Sequence, residues 1–154
     1  MTTKHQGGHV ARTLLDEHAC DALVMGCIDF RFWEALFSFV RQRFGIDRFD
    51  PLILAGGAKN LASPALPAMP EVAFFNIDVS HRLHHIKHVV VTNHIDCGAY
   101  GGSAKFAGKE EEIAFHKQEI DKAARLIAEK YPDLAVIKIF VSRRGDDPDF
   151  LVLE

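Results

Sequence analysis

The hydrophobic positions of the chain form short apolar runs that alternate with longer helical stripes. Uninterrupted runs of a few apolar residues are typical of strands that are buried on both faces of a sheet. They predict strands at 22–25, 52–54, 89–91 and 135–141. The run at 150–153 follows a turn signal, and we expect it to pair antiparallel with the preceding strand.

Longer stretches with apolar residues three, four and seven positions apart predict helices at 32–44, 71–85 and 110–130. A weaker pattern predicts a helix at 10–20, and the proline-rich stretch 63–70 is predicted to be a loop. For the helix at 71–85, the stripe expected to face the core consists of Val72, Phe75, Val79, Leu83 and Ile86.

This alternation of strands and helices predicts an α/β fold with a mostly parallel central sheet of four to five strands flanked by helices. The length fits a single domain at 1–154, in which residues 1–10 form an arm. In such sheets, functional groups collect in the crevice beyond the carboxyl ends of the strands. Candidate chemistry is therefore expected just after the strands.

Composition narrows the class of protein. A net charge of −3 and a pI near 6.3 disfavour binding to nucleic acid or to a membrane surface. The sequence contains no apolar run long enough to span a bilayer and no signal-peptide pattern at its start, so we expect a cytoplasmic protein. The three cysteines, Cys20, Cys27 and Cys97, favour reduced thiols for metal binding or catalysis over disulfides. The twelve phenylalanines indicate a dense core or an aromatic subunit interface.

Two motifs carry the candidate chemistry, and each follows a predicted strand. In the first, Cys27, Asp29 and Arg31 alternate along the chain and would share one face of an extended backbone. The second contains His94 and Cys97 in a His-x-x-Cys pattern. The two thiols and the imidazole suit zinc, and three ligands leave a fourth position open, as in catalytic sites. Asp29 either fills that position or stands beside a bound water, held by an ion pair with Arg31. The alternative is that the cysteines are small buried apolar residues and the histidine belongs to an ordinary loop.

The segments Cys27-Ile28-Asp29-Phe30-Arg31 and His94-Ile95-Asp96-Cys97-Gly98 resemble the two zinc motifs of the β-class carbonic anhydrases. The resemblance covers about residues 20–154 and includes the order of elements. It implies a homodimer or a higher homo-oligomer with one Zn²⁺ site per chain. Cys27, His94 and Cys97 would bind the zinc, and Asp29 and Arg31 would form the catalytic dyad. In some members the matching aspartate moves onto zinc as a fourth ligand and closes the site.

The activity implied by the resemblance is that of a carbonate dehydratase, in which zinc-bound hydroxide hydrates carbon dioxide reversibly to bicarbonate. The chain departs from the family after its second strand, where most members carry Arg-Asn-Ala-Gly and this chain has Leu-Ala-Gly-Gly-Ala at 54–58. Relatives on this scaffold hydrolyse carbon disulfide or carbonyl sulfide. The alternatives are therefore a hydrolase of such a CO2 analogue and a non-catalytic zinc-binding homologue.

Other histidines and one cysteine lie outside the two motifs. At helical spacing His81, His84, His85 and His88 would share one face, which we expect to be a solvated or interface face rather than a second metal site. We interpret His116 as a surface histidine rather than a proton shuttle, and Cys20 as a core thiol.

Overall fold

A computed structural model of the protein describes residues 18–154. The arm expected at 1–10 and most of the helix expected at 10–20 lie outside the described residues, and residues 18–20 are not helical. The strands are β1 (Ala22–Gly26), β2 (Phe49–Ile53), β3 (His88–His94), β4 (Ala135–Arg144) and β5 (Asp147–Leu153). The helices are α1 (Trp33–Phe44), α2 (Lys59–Ala62), α3 (Met69–His84) and α4 (Lys109–Lys130).

The five strands form one sheet in the order β2-β1-β3-β4-β5. β1 pairs in parallel with both β2 and β3, β3 pairs in parallel with β4, and β5 closes the sheet antiparallel to β4. The sequence-based prediction of a mostly parallel α/β sheet is thus confirmed. All five residues of β1 are buried, as expected for a strand covered on both faces.

β2 begins at Phe49, three residues before the predicted run at 52–54, and it includes Pro51. Proline cannot donate a ladder hydrogen bond and is therefore confined to edge strands. β2 is an edge strand of this sheet, so Pro51 is accommodated. The final turn is also tighter than predicted, since β5 already begins at Asp147 rather than at 150.

The prediction of which face of α3 is buried was wrong for Val72, Phe75 and Leu83, whereas Ile86, just after the helix, is buried as predicted. Val72 and Leu83 are exposed and Phe75 is 66% exposed, whereas Ala73, Ile77 and Ser80 are buried. Small side chains let the helix backbone approach the sheet closely, and the hydroxyl of Ser80 is satisfied by the carboxylate of Asp50. The helical period of the sequence fits two adjacent faces of α3. The face that packs against the sheet is the one with Ala73, Ile77 and Ser80, which allows the closer approach.

The ends of α3 also correct the sequence-based boundaries. The helix begins at Met69 with Pro70 in its first turn, where a missing N–H costs nothing. It ends at His84, because His85 adopts the left-handed conformation with φ 55°. His88 is the first residue of β3, so the four histidines from 81 to 88 do not share one helical face. In the described part of the chain, no helix combines the length and the apolar character needed to cross a membrane.

Candidate metal centre

The strand order creates a crevice at the carboxyl end of β1. The chain leaves β1 for β2 on one side and later returns to β3 on the other side. Ligands of open α/β sheets bind at such switch points. Cys27 directly follows β1, and His94 is the last residue of β3. The fold therefore brings the two sequence motifs to the same place.

Three potential metal ligands meet in this crevice. The Sγ atoms of Cys27 and Cys97 are 3.9 Å apart. One ligand atom from each of Cys27, His94 and Cys97 lies within 4.8 Å of the others. His94 and Cys97 are buried, and Cys27 is partly exposed to solvent.

The imidazole of His94 presents an unused nitrogen to the cluster. Its Nδ1 lies 2.7 Å from the carbonyl oxygen of Ile95, which can only accept, so Nδ1 carries the proton and Nε2 a lone pair. Nε2 is buried and has no hydrogen-bond partner among the described residues. Phe32 stacks on the ring at a centroid distance of 4.5 Å and fixes its plane. A buried acceptor without a partner is costly, and a metal ion would remove that cost.

These residues fit zinc. Zn–S bonds of about 2.3 Å in a tetrahedron place two sulfur atoms roughly 3.8 Å apart. The observed separation between Cys27 and Cys97 is 3.9 Å. Two sulfurs and an imidazole nitrogen are also the donor set that zinc prefers over magnesium or calcium.

The two thiols affect each other's ionisation. The hydrogen bond with Cys97, together with others including that from the amide of Gly56 at 3.3 Å, lowers the pKa of Cys27 although burial opposes this. The hydrogen bond with Cys27 and burial raise the pKa of Cys97. These shifts favour a thiolate at Cys27, and the thiolate is the form of cysteine that binds metals.

The small-residue turn after β2 is part of this site. A Cβ atom on Gly57, whose φ is 53°, would lie 2.4 Å from the carbonyl oxygen of Thr92, so only glycine fits. The buried side chain of Asn60 donates to the carbonyl oxygens of Ala55 (3.0 Å) and Gly57 (2.9 Å) and holds the turn. Sequence analysis did not single out Asn60. The only indication of its role was its position three residues after Gly57. The turn thus approaches Cys27 through the Gly56 amide rather than through long polar side chains.

Asp29 and Arg31 form a two-pronged ion pair at the mouth of the crevice. Arg31 Nη2 lies 2.6 Å from Asp29 Oδ2, and Arg31 Nε lies 2.9 Å from Oδ1. This pairing lowers the pKa of Asp29 and raises that of Arg31. The expected extended backbone is absent, because β1 ends at Gly26 and the amide of Phe32 bonds the carbonyl oxygen of Asp29 in a turn. The two side chains meet through that turn and not through strand alternation.

Asp96 is a further site residue that sequence analysis missed. Its Oδ2 accepts from Arg31 Nη1 at 3.1 Å, and its Oδ1 accepts from the amide of Ser103 at 2.9 Å. The Ser103 amide and then Arg31 lower the pKa of Asp96. Its left-handed backbone, with φ 57°, is rare for a residue other than glycine. Its position inside the His-x-x-Cys motif was the only available signal. Arg31 thus joins the loops that follow β1 and β3.

Behind this loop, α4 buries two polar side chains. Glu112 accepts from the amide of Asp96 (2.6 Å) and the hydroxyl of Ser103 (2.7 Å), which fixes the loop from below. His116 is 0% exposed, so its interpretation as a surface histidine was wrong. Both residues lie at four-residue spacing with buried Ile120, and the hydrophobic pattern missed them because it counts glutamate and histidine as polar.

The contacts of His116 are those of a neutral ring. Asn93 Oδ1 accepts from the amide of Ala58, so the Asn93 Nδ2 group faces His116 Nδ1 at 3.2 Å and donates to it. The ring also stacks on Phe140. Burial lowers the pKa of His116 to about 4.

We expect His116 to make stability fall on acidification. The unfolded chain binds a proton near pH 6.5 that the folded protein resists until about pH 4, so the group favours unfolding as the pH drops through this range. Between pH 7 and pH 5 this linkage removes about 2 kcal/mol of unfolding free energy. Urea unfolding at both pH values should show a smaller loss in His116→Gln than in the wild type.

The matched control is His85→Gln, which changes an exposed histidine and should keep the wild-type loss. The other titratable groups near the ring are Glu112, Tyr100, His94 and Lys105, and all four remain in both variants. Equal losses in the wild type and His116→Gln would contradict the assignment.

Comparisons with known proteins agree with this architecture. Residues 17–147 match the family Pro_CA_2, whose description is "Putative carbonic anhydrase". The uncharacterized protein RC0076 of Rickettsia conorii is 30% identical over 126 residues, which is 80% of this chain and 68% of that protein. An uncharacterized protein of Rickettsia bellii is 28% identical over 126 residues, which is 80% of this chain and 77% of that protein.

Solved structures show the same fold. The chain is similar to a tetrameric β-carbonic anhydrase of Sordaria macrospora, with a TM-score of 0.59, 18% identity and coverage of 96% of this chain and 88% of the other. It is also similar to the β-carbonic anhydrase CafA of Aspergillus fumigatus, with a TM-score of 0.57, 17% identity and coverage of 93% and 80%. The chain therefore belongs to the family described as "Putative carbonic anhydrase" and has the fold of the β-class carbonic anhydrases.

Proposed function

We propose that this protein is a zinc-dependent carbonic anhydrase that hydrates carbon dioxide reversibly to bicarbonate. The observation that carries the proposal is the cluster of Cys27, His94 and Cys97 at the switch point of the sheet, with the Asp29–Arg31 pair at its mouth. Membership of the family supports it.

Cys27, His94 and Cys97 would hold the zinc ion through two sulfurs and His94 Nε2. Bound zinc supplies a Lewis acid that lowers the pKa of water toward neutrality. The family fold and the donor set both support zinc at this place. His94 and Phe32, which stacks on its ring, are both buried.

Asp29 would orient the attacking water. Its Oδ2 lies 3.8 Å from His94 Nε2, which puts the carboxylate next to the ligand cluster. Because Arg31 keeps Asp29 ionised, the carboxylate can accept a hydrogen bond from water and direct the oxygen lone pair toward the carbon of CO2. Arg31 engages both carboxylate oxygens, which favours an open fourth position over closure by Asp29. Asp96 holds the guanidinium from its other side.

The turn at 54–58 is the basis for a second candidate. It offers the Gly56 amide to Cys27 and lacks the arginine and asparagine side chains that most β-class members carry there. A change in the polar surroundings of the substrate is compatible with a CO2 analogue as substrate, so hydrolysis of CS2 or COS is the alternative activity. A non-catalytic zinc-binding homologue is the remaining alternative.

Stopped-flow hydration of CO2 by the zinc-loaded protein tests the proposal. We expect a rate above that of buffer that rises from pH 7 to pH 9, because hydroxide becomes more abundant. A rate equal to that of buffer across this range would reject carbonic anhydrase activity. Sulfide release from CS2 or COS would then support the analogue hydrolase, and bound zinc without any turnover would support the non-catalytic homologue.

We also propose that the protein is a homodimer or a higher homo-oligomer. Phe30 is 84% exposed beside the metal cluster, and Phe75 is exposed on α3 together with Val72 and Leu83. Large exposed apolar side chains mark interaction surfaces in soluble proteins. Light scattering after size-exclusion chromatography should give at least twice the chain mass of 17.2 kDa. A stable monomer would contradict this proposal.

A further inference from the structure

A second cluster of side chains that could bind a metal lies at the other end of the strands, where β1 and β2 begin. Cys20 precedes β1, Asp50 is the second residue of β2, and His84 ends α3. The first cluster, in contrast, lies beyond the carboxyl ends of β1 and β3. The two clusters share no residue, so they can be changed independently.

Main-chain hydrogen bonds fix the positions of these residues. The amide of Cys20 donates to the carbonyl oxygen of His84 at 2.9 Å. The next amide, that of Asp21, donates to the carbonyl oxygen of Arg48 at 2.8 Å, just before β2. The segment before β1 is therefore tied both to the end of α3 and to the start of β2. One ligand atom from each of Cys20, Asp50 and His84 lies within 4.8 Å of the others.

His84 and Asp50 meet as a pair. His84 Nδ1 lies 2.5 Å from Asp50 Oδ2. On the other side of the ring, His84 Nε2 lies 3.2 Å from His18 Nε2. A metal ion bound by His84 and Asp50 would take the place of the proton between them, because metal ligands must be deprotonated.

The cluster is accessible to an ion from solvent. The side chains of His84 and Asp50 are 27% and 31% exposed. They line a cleft of about 240 Å³ together with Ser80, whose hydroxyl bonds Asp50. Water from this cleft could complete the coordination shell.

We propose that Cys20, Asp50 and His84 form a second site for a divalent transition metal, with Zn²⁺ the best match. Sulfur and imidazole donors favour zinc over magnesium or calcium. A metal here would join the segment before β1 to the end of α3. Of the four histidines that the sequence placed on one face, only His84 belongs to this site.

A purely structural role is the competing explanation. The hydrogen bonds from Ser80 and His84 to Asp50 tie α3 to β2 without any metal. Under that explanation, His84→Gln lowers stability but leaves the metal content unchanged. Metal stoichiometry separates the two explanations, because only a ligand changes the number of bound ions.

The test is the zinc content of zinc-loaded, exhaustively dialysed protein. We expect two zinc ions per chain in the wild type, one in His84→Gln, one in Cys97→Ser and none in the double variant. The matched control is His81→Gln, one turn earlier in α3, where the ring pairs with Asp133 and two ions should remain. Circular dichroism verifies that each variant is folded.

Two further variants cover the case in which His84→Gln does not fold. Cys20→Ser and Asp50→Asn change the other two members of the cluster with little change in side-chain size, and each should release the second ion to a competing chelator at lower chelator concentration than the wild type. One zinc per chain in the wild type, lost in Cys97→Ser and unchanged in these variants, would overturn the second site and leave the first intact. A single ion lost in His84→Gln and kept in Cys97→Ser would support the second site and overturn the first.

Discussion

Cys97→Ser is expected to weaken zinc binding at the site of Cys27, His94 and Cys97 by more than about 100-fold. Loss of an outer partner of a zinc ligand already costs 10–100-fold in affinity, and here a ligand itself is lost. The serine hydroxyl does not ionise near neutral pH and is a poor substitute for a thiolate. The measurement is zinc retention against a competing chelator, followed by metal analysis.

The design isolates this site from the second one. Both Cys97→Ser and its control are made in the His84→Gln background, so that an ion bound near Cys20 does not contribute. The control is Ala99→Ser, which adds the same hydroxyl at an exposed position two residues away. Equal zinc in Cys97→Ser and Ala99→Ser would exclude Cys97 as a ligand.

Asp29→Asn is expected to lower kcat/KM for CO2 hydration by about 10²–10⁴-fold with zinc retained, the range found for loss of a positioned acid or base. Asparagine keeps the shape of the side chain but removes the charge that pairs with Arg31. It can no longer offer an ionised carboxylate to the attacking water. Stopped-flow hydration and metal analysis on the same preparation measure both quantities.

The control for this variant is Asp147→Asn, an exposed aspartate at the start of β5, which should keep full activity. A fully zinc-loaded Asp29→Asn with the wild-type rate would remove Asp29 from the mechanism. Loss of zinc together with activity would instead assign Asp29 to the metal as a ligand.

The sheet could be predicted because its strands are buried on both faces. The apolar runs that became β1 and β3 leave a signal that needs no knowledge of their neighbours. The topology of such sheets then predicts that Cys27 and His94 lie together, since both are at the carboxyl ends of parallel strands. This is why the candidate ligands were visible from local sequence alone.

The packing of α3 could not be predicted in the same way. Its sequence offers one stripe with Phe75 and another with Ala73 and Ile77, and hydrophobicity favours the larger residues. The choice depends on how closely the helix can approach the sheet, which is a property of the assembled fold. Local periodicity therefore found the helix and chose the wrong face.

The residues that hold the loops of the site in place could not be predicted for a related reason. Asp96, Glu112 and Asn60 act through hydrogen bonds to loop backbone that exist only after the loops have formed. Their residue types are those of surface polar residues, and only the positions of Asp96 within the His-x-x-Cys motif and of Asn60 after the glycine pair gave a local signal. His116 was missed because its polar ring lies in a buried network between α4 and β3.

The pairing of β1 with β3 has a consequence for how this family can vary. Met25 is in register with Val91, and the hydroxyl of Thr92 donates to the carbonyl oxygen of Met25 at 2.9 Å. The spacing of Cys27 and His94 is therefore set by this local pairing rather than by the long connection between them. Insertions or deletions in the part of that connection that lies away from the site, such as the loop at 63–68 between α2 and α3, can change the outer surface of the protein while the ligand geometry is kept.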